Sequence, residues 1–284
     1  MAFNQDPVTL ASLNAIVNPL MISQIKKTIP ASVGYMLLSA LGFALMAACV
    51  KVVSQHGIPV IEIVAVRALI SAILSYTDIK RKNISPWGVN KPLLIARGLV
   101  GALALFFVYY SVTTLPLAEA TILQYLHPIF TAILAMIFLK EVIQLSTISC
   151  IALSLVGLGV MVAPNFAHDQ NSELAYSWLS IGAAILGALG SAIAYVIVKK
   201  LTKTDDSSVI VFYFPFIALP VAVIAGGSDF VIPSAATAGL LILVGIFTQV
   251  GQVGLTKALA CEDASKATAY AYVQVIFSIL IGWL

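Results

Sequence analysis

Arg67, Tyr109, Gln124, Tyr125, His127, Gln249, Gln252, Tyr272 and Gln274 all stand inside long apolar stretches of this chain. Polar side chains at such depth cost free energy, which makes each a candidate for function. Their chemistry is that of recognition: phenol rings to stack on a solute, amides to exchange hydrogen bonds with it, an imidazole, and a guanidinium able to meet an anion. Thr121, Gln124, Tyr125, His127, Pro128 and Thr131 fall within about three helical turns. Pro128 has no N–H to offer the carbonyl of Gln124, so that oxygen is free for a ligand, a water or a neighbour. Near the far end of the chain, Thr268, Tyr270, Tyr272, Gln274 and Ser278 form a similar group.

Each candidate has a plainer alternative. The tyrosines and amides also suit hydrogen bonding between packed helices, and His127 suits a bonded interior residue as well as a proton relay. Unpaired at the middle of a span, Arg67 would cost about 2.5–3.5 kcal/mol, so it needs a partner or water. It is either the anchor for an anionic solute or part of a structural contact, with Glu62 five residues away or with a carbonyl. Gln249, Gln252 and Thr256 recur at i, i+3 and i+7, one stripe of a helix that fits a wet cavity or a polar seam. Tyr109 and Tyr110 are adjacent and point in different directions, so at most one of them faces a shared cavity well.

The elements that must hold these groups are membrane spans. Of the 284 residues 61% are hydrophobic and 10% charged, and the mean hydropathy is +1.04; about 25% charged is usual for a soluble domain. Stretches of about 20 apolar residues place helices near 31–52, 58–77, 92–113, 117–139, 144–163, 178–199, 207–226, 234–257 and 266–284, with Pro59, Pro86, Pro116, Pro164, Gly226-Gly227 and Pro233 in the connections. Lys26, Lys27, Lys80, Arg81, Lys82, Lys91, Lys140, Lys199, Lys200, Lys203, Lys257 and Lys266 fall on one side, and only Lys51 falls at an outer helix end. This bias puts the amino terminus in the cytoplasm. Residues 1–30 read as a cytosolic tail, since Lys26 and Lys27 follow their apolar stretch instead of preceding it.

The chain also repeats itself. Leu38 to Lys51 returns as Leu186 to Lys199 with seven identities in fourteen positions, and Ala120, Thr121, Tyr125, Ile129 and Phe130 return as Ala267, Thr268, Tyr272, Ile276 and Phe277. With five helices in the first copy, the second enters the membrane inverted, and a solute site is expected at the midplane between the halves. The expected organisation is a first repeat over 31–163, an outside connection over 164–177 and a second repeat over 178–284. Tyr125 and Tyr272 are repeat mates that could flank one solute. Val275 stands opposite Pro128, so a helix break is expected in one half only. Ala40, Ala44 and Ala48, and Ala184, Ala188 and Ala192, form small faces for close helix packing.

Arg97-Gly98, Gly101, Tyr109-Tyr110, Leu117-Ala118-Glu119-Ala120-Thr121, Pro128-Ile129-Phe130-Thr131 and Leu139-Lys140-Glu141 resemble the EamA module of the drug/metabolite transporter superfamily. The wording is nearest the solute carrier 35 G-type branch, which Pro59, Glu62 and Arg67 also resemble. The resemblance runs from about 31 to 284. It implies ten helices in two inverted five-helix repeats around a central cavity. Against that pattern the end of the ninth helix and the tenth are lacking, and the expectation is that the sequence is a fragment.

Other classes find little support. Cys49, Cys150 and Cys261 show no metal or redox spacing. Gly157-Leu158-Gly159 lies inside a span, without the strand-turn-helix context that dinucleotide binding requires, and Ser23-Gln24-Ile25-Lys26 lies in the tail without a partner motif. No cofactor, metal or nucleic acid is expected; a lipid bilayer and a small-molecule solute are, and a homodimer is allowed. The expected function is secondary transport of a small organic metabolite by alternating access, in a bacterial inner membrane. A membrane scaffold and an intramembrane lipid-modifying enzyme are the alternatives.

Overall fold

A computed structural model describes residues 30–115, 117–168, 178–227 and 229–283. The expected tail and most of the 164–177 connection therefore lie outside the described residues. The rest is helical: α1 Ala31–Gln55, α2 Val60–Arg81, α3 Lys91–Thr114, α4 Leu117–Gln124, α5 His127–Leu134, α6 Leu145–His168, α7 Trp178–Leu201, α8 Ser207–Gly226, α9 Ala235–Cys261, α10 Ala264–Ala269 and α11 Val273–Trp283. Eight apolar helical stretches among the described residues are long enough to cross a bilayer. Their outer faces carry Ile73, Leu103, Phe106, Phe138, Ile224 and Ile242, all exposed. In lipid such faces need no cover, and the helical backbone satisfies its own hydrogen bonds. The chain is an all-α multi-pass membrane protein.

Sequence chemistry sets the helix ends. Asn90, Asp206 and Ser234 cap α3, α8 and α9, each side chain accepting a backbone N–H of the first turn. The fourth span is broken at Tyr125-Leu126, as Pro128 requires, and α5 runs into a π-turn over Ala135–Leu139 that ends on Lys140 in the left-handed region. The ninth span is broken as well, by a 3₁₀ turn over Tyr270–Tyr272 between α10 and α11. This corrects the expectation of a break in one half only. A 3₁₀ turn keeps its hydrogen bonds at i+3 and needs no proline.

The principal packing pairs come in twos. α1 packs on α9, as α3 packs on α7; α2 touches α9, as α8 touches α3; α11 lies on α1, as α4 and α5 lie on α7; α2 meets α8 directly. The small faces close the two longest seams. Ala40, Ala44, Ala184, Ala188 and Ala192 are buried. At Gly42 a Cβ would lie 2.9 Å from Gly251 N, and at Gly190 a Cβ would lie 2.9 Å from Ala104 Cβ. Neither seam has room for a side chain there, and Ser39 Oγ donates to Gly251 O across the first at 2.8 Å. α6 stands at the edge of the bundle, against α4 and α10.

The end of the bundle that carries Lys82, Lys199 and Lys266 is tied together across the two halves of the chain. Glu141, after the π-turn, accepts from Ala264 N (2.8 Å), Ser265 N (3.1 Å) and Ser265 Oγ (2.9 Å), holding the start of α10. Lys82 Nζ meets Asp206 at 2.9 Å, and Asp205 accepts from Val89 N and Asn90 N. Tyr213 Oη donates to Trp87 O at 3.1 Å. At the opposite end one such tie is present among the described residues, Val231 N to Glu62 Oε2 at 2.8 Å.

Candidate functional site

Two freed carbonyls organise the middle of the bundle. Pro128 leaves the Gln124 oxygen without a helical donor, and His127 Nδ1 takes it at 3.0 Å. A carbonyl only accepts, so Nδ1 carries the hydrogen, and Nε2 is an acceptor whenever the ring is neutral. The N–H of Ile129 turns to Leu126 O, which frees the Tyr125 oxygen. Tyr272 Oη donates to that oxygen at 2.9 Å, and the two tyrosine rings stack with centroids 5.7 Å apart. The helix breaks of the two halves thus face each other and are joined by the repeat-related tyrosines.

Beside them lies a cavity of about 340 Å3. Arg67, Gln124, Tyr125, His127, Gln252 and Gln274 line it, so six of the side chains singled out in the sequence converge on one space. The other three do not line it. Gln249 is spent on α2, donating to Ser75 Oγ at 2.8 Å and accepting from Ser71 Oγ. Tyr272 sits behind Tyr125. Tyr109 lines a separate, apolar groove of about 250 Å3 with Tyr110 and Phe106, and its ring lies 5.9 Å from the Arg67 guanidinium.

The structure also settles the surroundings of Arg67. Glu62 is occupied by the Val231 N–H, so the suggested pairing of Glu62 with Arg67 does not form. Arg67 Nη1 touches Met46 Sδ at 3.7 Å instead.

Sequence reasoning missed Arg97, Tyr195, Phe43 and Phe214 as lining residues. Arg97 is 4% exposed, lies against the Phe214 ring at 5.1 Å and reaches Gln252 Oε1 with Nη2 at 3.4 Å, while its Nε has no partner. Tyr195 stands edge-on to His127 with centroids 5.5 Å apart. A usable signal existed for both: a charge and a phenol inside apolar spans, as for Arg67 and Tyr125.

An all-helical membrane bundle wrapped around a cavity into which arginine, amide and phenol side chains project from both halves of the chain defines a carrier-like membrane protein. The profile of the EamA-like transporter family matches residues 31–163. The pseudopaline exporter CntI of Pseudomonas aeruginosa is 32% identical over 248 residues, 87% of this chain and 84% of its own. Solute carrier family 35 member G1 of Mus musculus is 30% identical over 264 residues, 87% of this chain and 69% of its own. A solved crystal structure superposes with a TM-score of 0.73 over 88% of this chain and 86% of that one, and at 15% identity that likeness concerns the fold alone. The chain belongs to the EamA-like transporter family and is a small-molecule transporter.

Proposed function

We propose that this protein is a secondary carrier of a small organic metabolite, working by alternating access of two inverted halves, 31–163 and 178–284, with its solute site in the central cavity. The observation that carries the reading is the cavity itself: polar side chains from both halves meet in one space, while ties between the halves gather at the lysine-rich end. The pairing of the principal helix contacts, each matched when the halves are exchanged, supports the inverted repeat. The cavity lining reaches Val112 in the last turn of α3 and Ala120 in α4. Met36 and Arg97 carry the lining toward the lysine-rich end as well, so what supports a state closed there and approached from the other face is the set of ties gathered at that end. Positive-inside bias makes the closed face cytoplasmic, with the amino terminus on that side of a bacterial inner membrane. Tilting of the halves opens the second face and closes the first, so the protein moves its solute without acting as an enzyme.

The test is flux into proteoliposomes from a mixed metabolite pool, with and without a pH gradient. Saturable uptake of at least one compound is expected. Monodisperse protein that moves nothing across a broad pool would refute the reading.

A further inference from the structure

Arg97 is a cation enclosed in a membrane bundle, and no described carboxylate answers its charge. Neither Arg97 nor Arg67 has a carboxylate within 4 Å among the described residues, where ion pairs involve Arg81, Lys82 and Lys266 only. Both arginines line the central cavity, and among the described side chains no Asp or Glu does. Arg97 Nε is the one buried side-chain polar atom without a hydrogen-bond partner among the described residues. The Gln252 contact is long at 3.4 Å, and Phe214 supplies a ring face, which attracts a cation but accepts none of its N–H bonds. Removing water from a charge is costly unless an opposite charge and hydrogen bonds make up for it. A structural arginine would be expected to have acquired them.

The local architecture keeps the guanidinium in place. Gly101 lies one turn after Arg97, and a methyl group there would run into Arg97 Nη1 and the Phe214 ring. The absent side chain is what lets the arginine fold along α3 into the cavity. Around it stand the groups that recognise the rest of a solute: the amides of Gln124, Gln252 and Gln274 and the rings of Tyr125 and Tyr195. At about 340 Å3 the space is at the small end of ligand pockets, which run from about 300 to 1,000 Å3.

We propose that the solute is a small organic carboxylate whose acidic group docks on Arg97, with Arg67 in the same cavity adding to the positive field. This rests on the carrier reading above and adds the chemical class of the cargo. A guanidinium fork matches a carboxylate in geometry as well as charge. The rest of the described lining, amide, aromatic and aliphatic with no lysine, suits a small uncharged remainder.

The experiment uses the full chain, purified in detergent, and reads thermal stability against two- to six-carbon mono- and dicarboxylates, each paired with its neutral amide, and against inorganic phosphate. At least one acid is expected to raise the Tm saturably while its amide does not. Arg97→Gln should raise the half-saturating concentration at least about tenfold, and Arg97→Lys should do so less. Without solute, Arg97→Gln should be no less stable than the parent, because it removes an uncompensated charge. A structural arginine would behave in the opposite way, its loss lowering the solute-free Tm and sparing the acid response; that result overturns the proposal. So does an equal response to acids and amides, a response to phosphate alone, or no response to any acid. Flux separates the two readings. Transport of a neutral solute that Arg97→Gln leaves intact sinks the carboxylate anchor and keeps the carrier, whereas an acid-specific Tm shift without flux does the reverse.

Discussion

Tyr272 contributes a ring that stacks on Tyr125 and a hydroxyl that satisfies the Tyr125 carbonyl, and the two can be separated. Tyr272→Phe keeps the ring and strands a buried acceptor, a loss of about 1–3 kcal/mol in general but nearer about 0.6 for bonds between membrane helices. A Tm drop corresponding to about 1 kcal/mol is expected, with KM for the transported solute unchanged, since Tyr272 stands behind the cavity wall. Tyr125→Ala removes a lining ring and should weaken transport several-fold at unchanged insertion. If Tyr272→Phe raises KM as much as Tyr125→Ala does, Tyr272 touches solute. Gly101→Ala puts a methyl where Arg97 and Phe214 lie, and should raise KM several-fold with little change in expression. A normal KM for that variant would show that Arg97 does not need its present position. Arg97 was hard to weigh from sequence because it sits in the second turn of α3, where an arginine can extend to the membrane surface. Phe214 from α8 and Gln252 from α9 cover it, and neither neighbour is legible along α3 itself. The same limit applies to Gln249 and Gln252: their spacing puts them on one side of α9, but packing sends Gln249 to α2 and Gln252 to the cavity.

At the scale of elements, the spans were readable because a bilayer demands about 20 apolar residues, and the helices appear within a few residues of the expected bounds. The break at Tyr125-Leu126 was readable because proline lacks an N–H. Its counterpart at Tyr270–Tyr272 was not, since Tyr-Ala-Tyr contains no helix breaker; the turn becomes intelligible only beside the Tyr125 carbonyl that Tyr272 reaches. The role of Glu141 was also hidden, because its partners begin 123 residues later. Its carboxylate takes two backbone N–H groups and a hydroxyl at the start of α10, and charge-assisted bonds of this kind contribute about 1.5–3 kcal/mol each. Glu141→Ala should therefore release α10, and amide exchange across residues 262–269 should quicken by about tenfold or more. Exchange as slow as in the parent would show that Glu141 does not hold this end shut.

For the whole molecule, the lysine-rich end carries a pH dependence whose sign follows from Lys82 and Asp206. Burial alone would raise the Asp206 pKa, but the hydrogen bonds from Lys82 and Ser208 outweigh it and the net shift is downward. Burial would lower Lys82, and the bonds to Asp206 and Asp78 outweigh that in turn, so it is raised. The Asp206 contribution is complete above the ordinary carboxylate value of 3.8 and is lost as pH falls through its lower folded value. The Lys82 contribution is complete below 10.5 and is lost as pH rises through its higher folded value. Both are in force at neutral pH. With the side chains 33% and 40% exposed, the pair contributes no more than about 0.2–1 kcal/mol. Asp206→Asn should lower the Tm slightly at pH 7, and the difference from the parent should shrink as pH falls below 3.8 and the carboxylate is protonated; a gap that does not shrink would locate the effect elsewhere. The one-sided distribution of these ties has a pharmacological consequence. In the proposed alternating cycle, every bond that ties the lysine-rich face lowers the resting population of the opposite conformer, about tenfold for each 1.4 kcal/mol. An antibody or inhibitor selected against the purified, solute-free protein would then recognise the majority conformer, and would arrest the carrier when applied from the lysine-poor side of a sealed vesicle while having little effect from the other.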